Sequence, residues 1–268
     1  MRSIVRPVSA DFGTWHHGLI ARWWVEFNVA TTEELAYFKA AIREFGEPAL
    51  DLACGTGRIL FPLVAQGIDV DGADISMDMI SLARAEAVKR VFSPRLTVQA
   101  MHDLDLGRMY RTVYICGSFG LGGRRDYDRE ALRRVYQHLE PGGALLITNH
   151  NLPYDDRWMP AYRARIPGEW STEDRRTAAD GDEIELLSRV GELDPLEQRV
   201  TRQMRARLWH GGQVVRAEEY NLRINIYFAQ ELFLMLDEAG FRDLKVEAGY
   251  TGRPATADDE MVAFVARK

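Results

Sequence analysis

The sequence lacks the features that mark several large classes of protein. It has only two cysteines, Cys54 and Cys116, in 268 residues, too few for a disulfide framework or a cysteine-based metal cluster. No apolar run approaches the roughly 20 residues that a membrane-spanning helix needs, and the N-terminus lacks the apolar segment of a signal peptide. Lysine and arginine form no long run, and the net charge is −6, which disfavours a nucleic-acid partner. We therefore expect a soluble, cytoplasmic protein that binds neither membrane nor nucleic acid.

The composition, in contrast, is that of a well-packed globular protein. Hydrophobic residues make up 46% of the chain, which is ample for a buried core, and the length allows one or two domains. The six histidines show no HExxH spacing, so no metal site is predicted.

A glycine turn within residues 49–58 organises the rest of the chain. Its sequence, Ala-Leu-Asp-Leu-Ala-Cys-Gly-Thr-Gly-Arg, predicts a buried strand, a tight loop and the first turn of a helix. Gly55 and Gly57 allow the backbone to approach a ligand closely. A dinucleotide fingerprint would need a third glycine where this chain has Leu60,. A nicotinamide-dependent oxidoreductase is therefore the less favoured interpretation.

A second acidic strand end follows the glycine turn. Residues 69–76, Asp-Val-Asp-Gly-Ala-Asp-Ile-Ser, predict the next strand, and the spacing from Gly55 to Asp74 leaves room for one helix and one strand. A carboxylate at that strand end can accept hydrogen bonds from both ribose hydroxyls of a nucleotide. Ser76 is a suitable N-cap for the helix that follows.

These two motifs together resemble those of class I S-adenosylmethionine-dependent methyltransferases. The first, at the glycine turn, is similar to the family's motif I. The second matches another pattern of the family, V-x-G-x-D-x-S-x-x-M, through Val70, Gly72, Asp74, Ser76 and Met79. Two further segments, 140–143 and 230–241, match the family's L-x-P-G-G and E-L-x-x-L-L-x-x-A-G-F. The resemblance implies S-adenosyl-L-methionine as cofactor. It also implies these cofactor-binding residues: Asp51, Ala53, Cys54, Gly55, Gly57, Arg58, Asp74, Ile75, Met79, Met101, His102, Cys116 and, from an aromatic N-terminal segment, Trp15.

Strands and helices alternate through the predicted core, which indicates an α/β fold with a doubly wound, mostly parallel sheet of seven strands. We expect one methyltransferase domain over residues 1–268, with a core at about 45–153 and 229–268 and an N-terminal helical lid at about 10–44. Core strands are expected near 49–53, 69–73, 95–99, 112–116, 143–149, 244–248 and 261–266, and helices near 31–45, 58–66, 76–92, 127–139 and 230–239. Ligands of such sheets bind beyond the carboxyl ends of the strands.

An antiparallel β cap is predicted as an insertion after the fifth strand, at about 155–228. Residues 183–190, 198–209 and 214–228 read as its strands, with a hairpin turn at 210–213,. The cap either covers the active site or pairs two subunits in a homodimer. In its last strand, an apolar set is expected on one face and a polar set on the other. The apolar set is Tyr220, Leu222, Ile224, Ile226 and Phe228, and the polar set is Asn221, Arg223, Asn225 and Tyr227.

Two positions depart from the family's pattern. Ala100 stands where an acid usually accepts from the adenine amino group, and Arg111 stands where a second acid usually opens the fourth strand. We therefore expect adenine to be bound by backbone and apolar contacts near Met79, Met101 and His102. Because of these two departures, a protein that binds the cofactor but does not catalyse methyl transfer remains an alternative interpretation.

The predicted chemistry is methyl transfer to a small-molecule acceptor by in-line displacement, for which the protein mainly positions the nucleophile and excludes water. His150, at the carboxyl end of the fifth strand, is the candidate base. Candidate substrate residues are Arg223, Asn225, His17 and Phe119. If Arg223 faces the acceptor, that acceptor is a small anion or zwitterion. Its identity, and whether nitrogen, oxygen or carbon is methylated, are left open by the sequence.

Overall fold

A computed structural model of the chain describes residues 14, 16–150, 167–172 and 174–268, and the backbone of residues 5–7. The described helices are α1 (Gly18–Phe27), α2 (Thr32–Phe45), α3 (Leu60–Val64), α4 (Met77–Arg90), α5 (Arg125–His138) and α6 (Ala229–Ala239). The described strands are β1 (Val5–Pro7), β2 (Ala49–Leu52), β3 (Val70–Asp74), β4 (Leu96–Val98), β5 (Tyr110–Cys116), β6 (Leu139–His150), β7 (Asp174–Thr177), β8 (Glu183–Asp194), β9 (Arg199–His210), β10 (Gln213–Asn225), β11 (Arg242–Ala248) and β12 (Met261–Arg267).

The larger of two compact units takes in described residues of 29–120, 124–153 and 227–268. It is built on a seven-stranded sheet in the order β11-β12-β6-β5-β2-β3-β4. The strands from β2 to β6 run parallel, while β12 is antiparallel to both of its neighbours. From β2 the chain proceeds outward through β3 and β4, then returns to β5 on the other side of β2. The strand order therefore reverses between β2 and β5, and such a reversal opens a ligand crevice at the carboxyl ends.

Helices cover both faces of this sheet, as the doubly wound fold predicts. On one face, buried side chains of α2, α3 and α4 pack with Tyr114 of β5. On the other face, α5 and α6 pack with Val113 and Ile115 of the same strand. Neighbouring residues of β5 thus point to opposite faces, as the pleat of a strand requires. Apolar layers cover the two faces of the sheet, and the candidate active site lies at the edge formed by the carboxyl ends of its parallel strands.

The smaller unit is a five-stranded sheet in the order β1-β10-β9-β8-β7, which is antiparallel except that β1 runs parallel to β10. Helix α1 packs on it through Leu19 and Ile20, which are buried together with Met204 and Tyr220. The segment predicted as one lid at 10–44 is therefore divided: α1 belongs to the smaller unit and α2 to the larger. The predicted extent of a single domain and of its lid remains a prediction.

The apolar and polar sets predicted for the last cap strand are observed only in part. Tyr220 and Leu222 are buried against α1, and Arg223 is exposed. The strand ends at Asn225, which is buried although it belongs to the predicted polar set, and the prediction beyond that residue is also wrong. Tyr227 is buried in the core of the larger unit, whereas Phe228 is 42% exposed. Strand alternation cannot extend past the point where the chain leaves the sheet.

None of the helices that the structure describes is both long and apolar enough to span a membrane.

Candidate active site

The loop after β2 lies at the carboxyl-end edge of the seven-stranded sheet, beside the switch point. Three of its residues have positive φ: Ala53 at 65°, Gly55 at 54° and Gly57 at 85°. A Cβ added to Gly57 would lie 2.6 Å from Cδ2 of the Phe61 ring and closer still to Cε2, so close packing there requires glycine,. A Cβ added to Gly55 would meet nothing within 4 Å. Gly55 therefore borders open space, which is where a ligand can approach the backbone.

Strand β3 anchors this loop from one side. The N–H groups of Ala53 and Cys54 both donate to the Ala73 carbonyl, at 2.7 and 3.1 Å. The Gly55 N–H donates to Oδ2 of Asp74 at 2.9 Å, and the Ser76 N–H donates to Oδ1 at 2.8 Å. The two predicted motifs are thus joined directly, through the carboxylate at the end of β3.

The Asp74 carboxylate fits the ribose of a nucleotide cofactor. Each of its oxygens accepts one backbone hydrogen bond, and each keeps lone pairs that can accept a further donor. Its burial raises the pKa of the carboxyl, and the bonds from Ser76 and Gly55 oppose that rise. A buried acid that can accept two hydroxyls, beside an open glycine, suits S-adenosylmethionine.

Asp51, at the end of β2, is the second buried acid of the site. It is 3% exposed. Burial raises its pKa from 3.8 to about 7, and the nearby Arg58 guanidinium opposes the rise. A carboxyl in this state changes its charge near neutral pH, because burial disfavours the ionised form.

Arg58, predicted to bind the cofactor, is held by other groups in this structure. Its Nη1 donates to Oε2 of Glu34 at 2.6 Å and its Nη2 donates to Oε1 at 2.9 Å. Nη2 also lies 3.2 Å from the Cys116 sulfur, and the Tyr250 hydroxyl lies 3.4 Å from the same sulfur. Burial raises the pKa of the Cys116 thiol. The guanidinium thus connects α2 to the end of β5.

Two of the three predicted adenine contacts, Met101 and His102, lie on a 3-10 turn at Met101–Asp103. The His102 ring stacks on the Tyr127 ring with their centroids 3.8 Å apart, and the Arg124 guanidinium lies 4.1 Å from the Tyr127 centroid. Asp103 is largely exposed. The side chain of Met79 is only 1% exposed, so its surface is not presented to a ligand here.

The departure at Arg111 lies at the edge of the sheet opposite the predicted adenine contacts. Arg111 lies at the amino end of β5, where its Nε donates to the Phe45 carbonyl at 3.1 Å. Its N–H donates to the Pro48 carbonyl, just before β2. The carboxyl ends of the strands lie at the opposite edge. Of the two departures from the family's pattern, Ala100 is therefore the one that lies beside the predicted adenine contacts.

The remaining predicted residues are spread over both units. Ile75 follows Asp74 and is 38% exposed, while Phe119 is 2% exposed and packs on Tyr227 in the core. Phe119 therefore offers an acceptor no exposed surface in this conformation. His150 ends β6 with an exposed side chain. Trp15 lies outside the described residues.

The other three predicted substrate residues belong to the smaller unit. His17 is the N-cap of α1, and its ring centroid lies 5.0 Å from that of Tyr220. Asn225 is buried. Arg223 is exposed, and its guanidinium makes no ion pair with the residues that the structure describes.

Three residues near the site were not predicted from the sequence: Glu34, Tyr127 and Tyr250. Glu34 forms the capping box of α2 with Thr31. The cap accounts for the Thr-x-x-Glu pattern completely, so nothing in the sequence indicated a second role. Tyr250 follows β11, and its contact with Cys116 depends on the order of the strands. Within the described parts of the chain, no cluster of residues could hold a metal ion.

Comparison with known proteins agrees with this geometry. A family described as "Methyltransferase domain" matches residues 49–143. The dTDP-3-amino-3,4,6-trideoxy-alpha-D-glucopyranose N,N-dimethyltransferase of Streptomyces venezuelae is 26% identical over 76% of this chain and 79% of its own. An S-adenosylmethionine-dependent methyltransferase from Clostridium acetobutylicum has a similar structure, with a TM-score of 0.71 at 16% identity over 92% and 96% of the two chains. These matches support assignment of the chain to the class I S-adenosylmethionine-dependent methyltransferases.

The chain also has the fold of the sugar N-methyltransferase KedS8 from Streptoalloteichus, with a TM-score of 0.71 at 19% identity over the whole of both chains. Together with the family match, these relatives support S-adenosylmethionine as the cofactor. A small-molecule acceptor agrees with these relatives.

Proposed function

We propose that this methyltransferase methylates an amino nitrogen of a small molecule, and that the molecule also carries an anionic group such as a nucleotide diphosphate. The observation that carries the proposal is the extent of the likeness to the Streptomyces venezuelae enzyme. That likeness covers 76% of the chain, well beyond the domain at 49–143. That relative is named as an enzyme that acts on an amino sugar linked to dTDP. The fold shared with KedS8 supports the same class of acceptor.

The chemistry asks little of the protein beyond positioning and exclusion of water. S-adenosylmethionine supplies a methyl group on a positively charged sulfur, which is a good leaving group. Asp74 would hold the ribose, and the open backbone at Gly55 would border the amino-acid portion. An amine is a nucleophile only after it has lost its extra proton.

His150 is our candidate for taking that proton. It is exposed at the carboxyl end of β6, the edge at which the glycine loop lies. If His150 is the base, His150→Gln should lower kcat by about a hundredfold, the lower range for general bases. It should also remove the acidic limb of the pH–rate profile while leaving the affinity for S-adenosylhomocysteine unchanged. An unaltered pH profile would exclude this role.

Arg223 is our candidate for binding the anionic group. A guanidinium can bind a phosphate through two parallel hydrogen bonds, and no carboxylate among the described residues neutralises Arg223. Arg223→Met keeps much of the stem and removes the charge. We expect the variant to raise KM for the acceptor by about tenfold, in line with the loss of one charge-assisted contact, without changing cofactor affinity.

The proposal is tested by comparing three acceptors in a methyl-transfer assay: a dTDP-linked amino sugar, the same nucleotide sugar with a hydroxyl in place of the amine, and the free amino sugar. We expect transfer to the first, none to the second, and a raised KM for the third. Transfer to the hydroxyl compound would contradict nitrogen as the acceptor atom. Equal KM values for the first and third would contradict the anionic group.

A further inference from the structure

The ion pair between Arg58 and Glu34 is set beside the cofactor loop. Arg58 is the first residue after Gly57, and both terminal nitrogens of its guanidinium contact Glu34, each at a different carboxylate oxygen, at 2.6 and 2.9 Å. The two side chains are 22% and 10% exposed. Such a two-point pair is stronger and more directional than a single contact, and its low exposure limits screening by water.

Glu34 is itself fixed by the start of α2. Its Oε2 accepts the Thr31 N–H at 2.9 Å, and its own N–H donates to the Thr31 hydroxyl at 3.2 Å. These hydrogen bonds fix the position of the Glu34 carboxylate independently of Arg58. The guanidinium meets this acid on one side and the Cys116 sulfur, at the end of β5, on the other.

The loop needs support because its backbone is not in a favoured conformation. Positive φ at Ala53 is unfavourable for a residue with a Cβ, and two glycines with positive φ follow it within four residues. The backbone hydrogen bonds that tie residues 53–55 to neighbouring structure run to Ala73 and Asp74, on the β3 side. Among the described residues, Arg58 connects the loop to the other side, through its contacts with Glu34 of α2 and Cys116 of β5.

We propose that Glu34 is a positioning residue for the cofactor loop. Through Arg58 it holds residues 53–57 in the conformation that binds S-adenosylmethionine, and Arg58 acts through this pair and does not bind the cofactor. Without Glu34, Asp51 is the nearby acid left to attract the guanidinium, so the arginine would turn toward the loop that it now supports. The proposal rests on the cofactor assignment and is independent of the acceptor.

The test measures the affinity for S-adenosylhomocysteine by calorimetry, with no acceptor present, in Glu34→Gln, Arg58→Met and the double variant. We expect each single variant to bind about tenfold more weakly, on the scale of one charge-assisted hydrogen bond. The double variant should bind no more weakly than the weaker single variant, because both changes remove the same support.

The matched control is Asp71→Asn. Asp71 is a buried carboxylate that accepts from Nη1 of Arg108 at 2.7 Å, and it lies near the amino end of β3, at the opposite edge of the sheet. Its replacement should leave the affinity within twofold of the native value. An equal loss in this control would mean general loosening of the unit and would overturn the proposal.

Two further outcomes would also overturn it. If Arg58→Met weakens binding while Glu34→Gln does not, Arg58 binds the cofactor itself. If neither variant changes affinity, the pair has no positioning role. Hydrogen exchange of the 53–57 amides in the ligand-free protein gives an independent readout, and it should accelerate in Glu34→Gln but not in Asp71→Asn.

The hydrogen-exchange readout also keeps this inference separate from the cofactor assignment. A native protein that fails to bind S-adenosylhomocysteine would contradict the cofactor, while the exchange rates would still decide the role of the pair. Should Glu34→Gln fail to fold, Arg58→Lys keeps the charge and loses the two-point geometry. It should then show the same faster exchange at the loop, and native exchange rates in that variant would overturn the proposal.

Discussion

At the scale of single residues, Asp74 carries two duties that can be separated. It accepts hydrogen bonds from the Gly55 and Ser76 backbone, and we expect it to accept the ribose hydroxyls as well. Asp74→Asn keeps the shape and removes the charge. S-adenosylhomocysteine should bind about ten- to a hundredfold more weakly, since charged hydrogen bonds are worth roughly 1.5–3 kcal/mol. In calorimetry, an analogue lacking both ribose hydroxyls should lose less affinity on this substitution than S-adenosylhomocysteine does. A variant with native affinity would contradict the assignment.

Asp51 leads to a prediction about pH. Burial raises its pKa to about 7, so the native protein keeps a proton that the unfolded chain releases near pH 4. Stability therefore falls as pH rises from about 4 to 7, by up to ~4 kcal/mol if the shift is fully expressed. Asp51→Asn cannot titrate. Urea unfolding at pH 5 and pH 8 should show the variant gaining stability relative to the native protein at the higher pH. A difference between the two proteins that is constant with pH would refute this.

At the scale of elements, α1 owes its place to a few contacts with the smaller sheet. Ile20 is fully buried beside Met204 and Tyr220, and the Leu19 N–H donates to the buried Glu218 carboxylate at 2.8 Å. Ile20→Ala should cost about 2–5 kcal/mol, the usual range for such a cavity. Hydrogen exchange should then accelerate in β9 and β10. Unchanged exchange there would show that α1 does not stabilise this sheet.

The core elements could be predicted from the sequence, whereas β1 and β7 could not. The strands around Asp51 and Asp74 combine an apolar run, an acid and a turn, and all of these signals are local. Strand β7 reads Asp-Arg-Arg-Thr, with no apolar residue to indicate burial, and it forms by pairing with β8. Strand β1 pairs with Ala217 and its neighbours, far away in the chain. Local patterns do not contain such partners.

The candidate site divides in the same way. Gly55 and Asp74 were predicted because their chemistry is local to the loops that carry them. The Glu34–Arg58 pair was missed because it depends on where α2 lies across the sheet. Phe119 was predicted as a substrate residue, but its burial against Tyr227 depends on packing by residues more than a hundred positions away. Roles of side chains follow from tertiary contacts, and periodicity indicates only which face they occupy.

At the scale of the whole molecule, the two compact units raise the question of whether they unfold together. A ligand that binds only the native state stabilises it by about 2.7 kcal/mol at a hundred times its Kd. If the chain is one cooperative domain, S-adenosylhomocysteine should shift a single calorimetric transition upward. If the units unfold separately, only the transition that contains the seven-stranded sheet should move. Hydrogen exchange of α1 with and without ligand assigns the transitions.

The order of strands in the larger sheet also has a consequence for synthesis. Strand β6 is covered on one side by β12, where Met261 pairs with His150, although the ribosome makes β12 only after the whole smaller unit. A nascent chain therefore carries β6, with its apolar run Ala144–Ile147, as an open edge that can pair with other chains. A premature stop before β12 would make that exposure permanent. We expect such truncated products to aggregate and to require chaperones, even though every predicted cofactor contact would already have been translated.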